Sequence, residues 1–246
     1  MDKGAHFLRT DLQVHTPRDP RWAGRGAITD DERKQYAIEF VRACREKTLD
    51  AVAITDHHDW EFVPYIREAA KNETDSNGVP IKDGHRLIVF PGMELTLGLP
   101  CQALLIFDAD FPADSFELIY NKLDIVPSDK SVERIAEVIK LDHVRDMQDM
   151  HDKLDQHSFL KGRYIILPNV SDGGNHTILR GGFQSHYKSM PCVGGYTDKG
   201  RMGDGTTAIV EGRNAQYGNR AIGVFHTSDC RRRDFSDLGV PSVWIK

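Results

Sequence analysis

The chain has no apolar stretch long enough to span a bilayer and no apolar leader near its N-terminus, which argues against a membrane or secreted protein. Its four cysteines, Cys44, Cys101, Cys192 and Cys230, are far apart and form no CxxC pair. They read as reduced, structural thiols of a cytoplasmic protein rather than zinc ligands. A GxxxxGK[ST] loop is missing, so ATP hydrolysis by that route is not expected of this chain. His143, His151 and His157 make no HxxxH pair and read as solvated or structural. Internal repeats and low-complexity tracts are also lacking. Positive charge is not in excess: the net charge is −5, so no global basic field advertises nucleic acid, although a local basic groove stays open.

What is there fits one β/α domain of 246 residues, 39% hydrophobic and 28% charged. The stretch Asp11-Leu12-Gln13-Val14-His15-Thr16 alternates apolar and polar residues, and in an extended strand Asp11, Gln13 and His15 would share one face. Three later stretches repeat the theme of an apolar run ending in His, Asp or Glu. Ala51–Ile54 leads into Thr55-Asp56-His57-His58, Leu87–Phe90 into Pro91-Gly92-Met93-Glu94, and Ala221–Phe225 into His226-Thr227-Ser228-Asp229. Polar groups at several strand ends are where a β/α barrel carries its chemistry.

In chain order, Phe7–His15 reads as the first strand, and Thr29 followed by Glu32 is a capping box opening an amphipathic helix over 31–47. Ala51–Thr55 is a continuous apolar run suited to a parallel strand covered on both faces. Phe62–Ala70 reads as a helix, Leu87–Phe90 and Ala103–Phe107 as strands, and Leu97–Pro100 as a turn too short for a helix. Ser131–His157 reads as a long helix with Ile135, Val138, Leu141 and Val144 on one face. Tyr164–Leu167 is a strand leading into Pro168-Asn169. Segment 171–219 reads as an irregular insertion with Thr207–Val210 as an extra strand, and Ala221–Phe225 and Ser242–Ile245 complete seven core strands. Strands alternating with helices favour a closed parallel barrel.

With these motifs in hand, the order DxxxH, TDH, PGxE and a late SD resembles the PHP (polymerase and histidinol phosphatase) superfamily. Asp-Leu-Gln-Val-His-Thr-Pro, Thr-Asp-His-His-Asp and Pro-Gly-Met-Glu-Leu-Thr look most like the N-terminal PHP domain of TrlF-type PHP–ATPase proteins. The resemblance spans essentially the whole chain. It implies an α/β fold, a distorted seven-stranded (β/α)7 TIM-like barrel, which holds up to three metal ions and hydrolyses phosphoesters. It further implies an SMC- or AAA-like ATPase as a domain or subunit and a setting in bacterial anti-phage defence, with residues 1–246 the N-terminal part of a longer chain. His15, Glu94, Asp229 and His57 match metal-ligand positions of the family. Gln13, Gln102, Asn169 and Arg231 stand where the family usually has histidine.

Amide oxygens are weaker and harder donors than imidazole, so these replacements favour manganese or magnesium over zinc, with one to two ions and Glu94 as the bridge. Arg231 is a permanent cation that could clamp a phosphate bidentately. His57 or His226 could protonate a leaving oxygen, while Asp11 and Asp56 would orient imidazoles. His58 reads as an orienting or exposed neighbour of His57. His176 or His186 could replace a lost ligand from the insertion, whose Gly173-Gly174 and Gly181-Gly182 pairs read as turns. Arg231-Arg232-Arg233 and Arg18, Arg21 and Arg25 could track a phosphate backbone, against the plainer reading of solvated loop arginines. The expectation is a metal-dependent phosphodiesterase acting on DNA or RNA. A degenerate nucleic-acid or nucleotide sensor and a small-molecule phosphatase are the alternatives, and an oligomer stays open.

Overall fold

A computed structural model describes residues 6–246 except 76 and 199. The chain begins with β1 (Leu8–Val14), then α1 (Asp30–Glu46) and β2 (Ala51–Ile54). Thr29 accepts the Glu32 amide while Glu32 accepts the Thr29 amide, closing the expected capping box. Tyr36, Ala37, Phe40, Val41 and Cys44 then bury one stripe of α1. After α2 (Val63–Lys71) comes β3 (Ile88–Leu97), ten residues long. Its first half pairs parallel with β2, and from Gly92 it pairs antiparallel with β4 (Gln102–Phe107). A Cβ on Gly92 would lie 2.9 Å from the Leu105 carbonyl oxygen, so this close approach requires glycine.

Downstream are α3 (Phe116–Lys122), β5 (Lys140–Leu141), α4 (Met147–Asp155), β6 (Tyr164–Pro168) and α5 (Gln184–Ser189). They are followed by β7 (Gly194–Thr197), α6 (Asp204–Val210), β8 (Gly223–His226) and β9 (Val243–Ile245). The main sheet runs β6-β4-β3-β2-β1-β9 with β5 attached to β3, and β7 and β8 form a separate parallel pair. That pair touches β6 through an Asn169–Tyr196 bridge, and the Thr227 amide reaches the Thr197 carbonyl just beyond it. The result is a mixed α/β fold with a curled, open sheet. The outer layer packs under the helices, and Leu12, Ala53, Leu104, Ile106, Leu167 and Tyr196 fill the concave side. Among the described residues, no helix is long and apolar enough to cross a membrane.

Several expectations need correcting. Antiparallel neighbours at β3-β4, β4-β6 and β1-β9 break the uniform parallel order. Only Met147–Asp155 of the long helix forms, started by the Asp146 side chain accepting the Asp149 amide. Upstream, Leu141 joins β3 through β5 and the Ile135 amide binds the Arg18 carbonyl, so apolar spacing of three served an irregular segment of turns and bends. Thr207–Val210 lies in helix α6, because Asp172 caps the turn through Gly203 and Thr206. A four-residue apolar run does not by itself separate strand from helix.

Candidate metal centre

β1 does not keep strict alternation. Its register with β2 shifts between Asp11 and Val14, the mark of a bulge. Leu12 consequently sits in the concave cluster and Val14, two residues on, in the outer one. Asp11 therefore does not share a site with His15 as the strand pattern had implied. Its carboxylate accepts the Gly239, Ser228 and Gln13 amides instead. Burial pushes its pKa up to about 6 against those bonds.

His15 follows β1 directly and is fully buried. A turn closed by the Asp19 amide on the Thr16 carbonyl returns Asp19 beneath it, placing Asp19 Oδ2 3.0 Å from His15 Nδ1. Asp56, after β2, accepts the Thr16 amide and hydroxyl and lies 3.7 Å from the same nitrogen. On the opposite ring edge, His15 Nε2 is 3.3 Å from Glu94 Oε2 and 3.2 Å from Asp229 Oδ1. His57 Nε2 lies 3.4 Å from the same Glu94 oxygen. The backbones of His57 and Glu94 are joined by a bridge that extends the β2-β3 pairing. Asp229 adopts a left-handed backbone, φ 51°, which aspartate tolerates better than most residues.

This donor set fits a cation. His15 Nε2, both His57 ring nitrogens and Asp229 Oδ1 are buried without a hydrogen-bond partner, and buried polar atoms rarely stay so without a reason. Donors bound to one ion at about 2.1 Å stand roughly 3.0–3.4 Å apart, the range seen around His15 Nε2. Imidazole and carboxylate ligands together suit zinc or manganese. A second grouping, His15, Asp19 and Asp56, converges on the Nδ1 side. Its carboxylates suit the role of orienting a ligating imidazole.

The charges are strongly interlocked. Burial and nearby Arg231 oppose a proton on His15, yet Asp19 and Asp229 outweigh them and raise its pKa well above the imidazole norm. Burial holds His57 below that norm even beside Glu94. Burial would likewise raise Glu94, but His57, His15 and Arg231 keep it well below the carboxylate range. Asp19 is lowered despite burial, chiefly by His15.

Arg231 sits inside the cluster. Its Nε lies 3.2 Å from Asp19 Oδ1, one terminal nitrogen lies 3.3 Å from Glu94 Oε2, and the other pairs with Asp229. The expected second ion between Glu94, Gln102 and Asn169 finds a different arrangement. Tyr196 donates its hydroxyl to Glu94 Oε1 at 2.9 Å and accepts the Asn169 amide at 3.3 Å. Asn169 Oδ1 accepts the Ser171 amide. Gln102 is half-buried at the start of β4 opposite Thr96, and the Gln13 side-chain oxygen accepts the Thr227 hydroxyl.

Other candidates lie elsewhere. Arg18 is wholly buried, with Nε and one terminal nitrogen on Asp59 and the other on the Asp129 and Val132 carbonyls. Its donors are committed to the fold and not to a substrate phosphate. Arg232 is exposed and pairs with Asp237. His58 is buried rather than exposed, with a left-handed φ of 54° and a pKa lowered by desolvation and by His57 to about 4. His226 ends β8 opposite Thr197 and is half-buried. His186 pairs with Asp146, and His176 is exposed. Two members of the cluster, Asp19 and Tyr196, escaped the sequence reading. Asp19 stood four residues after His15, a usable signal masked by its arginine-rich loop, whereas Tyr196 lay in a segment read as irregular.

No protein-family model matches the chain, and no curated protein does. Among solved structures it is similar to the lesion-specific endonuclease PfuEndoQ from Pyrococcus furiosus, with a TM-score of 0.57 and 13% identity over 93% of this chain and 49% of that one. It is also similar to endonuclease Q in complex with a 27-mer duplex substrate bearing an abasic lesion at the active site, with a TM-score of 0.51 and 11% identity over 93% and 50%. The chain thus spans about half the length of either endonuclease chain. The likeness is one of fold.

Proposed function

We propose that the chain is a metal-dependent phosphoesterase that hydrolyses phosphodiester bonds in nucleic acid. The observation that carries this reading is the buried meeting of His15 Nε2, Glu94 Oε2 and Asp229 Oδ1, within 4.8 Å of one another. A divalent ion held there supplies positive charge to a phosphoryl group and acidifies water. Around it, Asp19 and Asp56 hold the His15 ring from behind, and Arg231, its three nitrogens turned to Asp19, Glu94 and Asp229 rather than free to clamp a phosphate, adds positive charge beside the ion. His57 is assigned a proton shuttle: neutral because of burial, it would take a proton from the attacking water, with Glu94 stabilising the charged form, and pass it to the leaving oxygen. The structural likeness to an endonuclease solved with duplex DNA favours nucleic acid over a small monoester. Completion of the curled sheet into a seven-stranded (β/α)7 barrel, cytoplasmic residence, and an ATPase partner in anti-phage defence extend the proposal on the motif resemblance alone.

Incubating the protein with Mn2+ or Mg2+ and single-stranded DNA, duplex DNA with and without an abasic site, RNA, and a phosphomonoester tests it. Metal-dependent cleavage of a polymer, lost in His15→Ala and in Glu94→Ala, supports the reading. Turnover of the monoester alone supports a phosphatase. Tight polymer binding without cleavage supports the sensor, a reading favoured by the hydrogen bonds that already engage Gln13 and Asn169.

A further inference from the structure

The three carboxylates of Asp19, Glu94 and Asp229 converge on one guanidinium. Each Arg231 nitrogen addresses a different acid: Nε faces Asp19, one terminal nitrogen Glu94 and the other Asp229. A planar fork engaged on all sides fixes both a charge and the direction of each acid, whereas an ammonium supplies the charge without the directions. Those three acids carry a formal charge of −3, and Arg231 leaves −2 for a cation to neutralise. One divalent ion does so. Asp56 lies on the other edge of the His15 ring, 3.7 Å from Nδ1, with its oxygens on the Thr16 amide and hydroxyl.

Ligand geometry gives the same count independently. Glu94 presents only Oε2 to the cluster, because Oε1 accepts the buried Tyr196 hydroxyl. The Tyr196 oxygen in turn accepts from Asn169, whose own carbonyl oxygen accepts the Ser171 amide. The oxygens that a second ion beyond Glu94 would need are therefore each already accepting from a protein donor. Asp229 divides its oxygens likewise, with Oδ1 beside His15 and Oδ2 on Arg231. His15 Nδ1 and Asp19 Oδ2 face each other at 3.0 Å, and what the cluster then leaves without a partner is the His15 Nε2 and Asp229 Oδ1 side, together with the His57 ring.

We infer that this centre takes a single divalent ion and that the Arg231 guanidinium is its built-in second cation, fixing both the occupancy and the aim of Glu94 and Asp229. The inference rests on the reading of His15, Glu94 and Asp229 as ligands. Arg231 is here a positioning residue, and its effect is read in metal content rather than in activity.

The experiment is equilibrium dialysis of the intact chain against MnCl2, followed by elemental analysis, on wild type, Arg231→His and Arg231→Lys. Wild type binds one Mn2+ per chain. Arg231→His removes the resident charge, supplies an imidazole, and binds two. Arg231→Lys keeps a cation in place and stays at one. Two or more ions in wild type, or an Arg231→His protein that binds one or fewer while retaining the wild-type circular dichroism spectrum, overturns the inference. A wild-type count near zero removes the metal reading of the site along with it. The wild-type count is decisive even where a variant does not fold.

Discussion

The Tyr196 hydroxyl donates to Glu94 Oε1 at 2.9 Å, joining β7 to β3 across the concave side of the sheet. Together with Arg231 on Oε2, that bond sets which Glu94 oxygen faces His15 and His57. Burial and the neighbouring Glu94 charge push the Tyr196 pKa well above its usual value, so the phenol is a donor throughout the working range. Tyr196→Phe should leave the fold intact and free the Glu94 carboxylate to rotate. Mn2+ affinity, measured by calorimetry, should then fall about 10- to 100-fold, the cost typical of losing a group that orients a ligand. Unchanged affinity would mean that Tyr196 has no part in aiming Glu94.

Asp19 is expected to act through His15 and Arg231. Asp19→Asn keeps the shape but weakens the contacts to both partners. A roughly 10- to 100-fold loss of metal affinity is expected, again by calorimetry.

Protons and metal should compete at His15. In the ion-free protein its folded-state pKa is raised, by Asp19 and Asp229 against burial and Arg231. The stability it contributes is therefore full below about pH 6.5, the unfolded value, and is lost as pH rises through the folded value. A divalent ion must displace that proton, so Mn2+ affinity should climb by up to roughly tenfold per pH unit until the folded value is passed. Calorimetry in buffers of different ionisation enthalpy would detect the released proton. A binding constant independent of pH would contradict this protonation scheme.

Arg18 should matter for stability rather than catalysis. Arg18→Met leaves Asp59 buried without its partner, and breaking a buried pair from one side costs about 3–5 kcal/mol. Urea unfolding measures it. A nucleic-acid affinity that fell in Arg18→Met with no loss of stability would instead place Arg18 at the bound polymer.

The distribution of what the sequence disclosed has physical causes. β2, α1 and the turn after Leu97 were readable because their signals are local: a continuous apolar run, a capping box, a short Pro-bounded link. His15, Glu94 and Asp229 were nameable because short motifs flank them, although no periodicity could show that they meet. Asp11 misled because a bulge, invisible in the alternation, moves it to the helix side of β1. Tyr196 depends on the β7-β8 pairing, a long-range event with four-residue strands and glycines where apolar residues would normally announce a strand.

One diffraction measurement bears most directly on the whole. Crystals of the protein grown with Mn2+ should show an anomalous difference peak touching His15 Nε2, Glu94 Oε2 and Asp229 Oδ1 together, at about 2–2.5 Å from each. A peak displaced to other residues, or no peak at saturating Mn2+ with these side chains placed as described, would mean that their meeting serves packing and charge balance and not a metal.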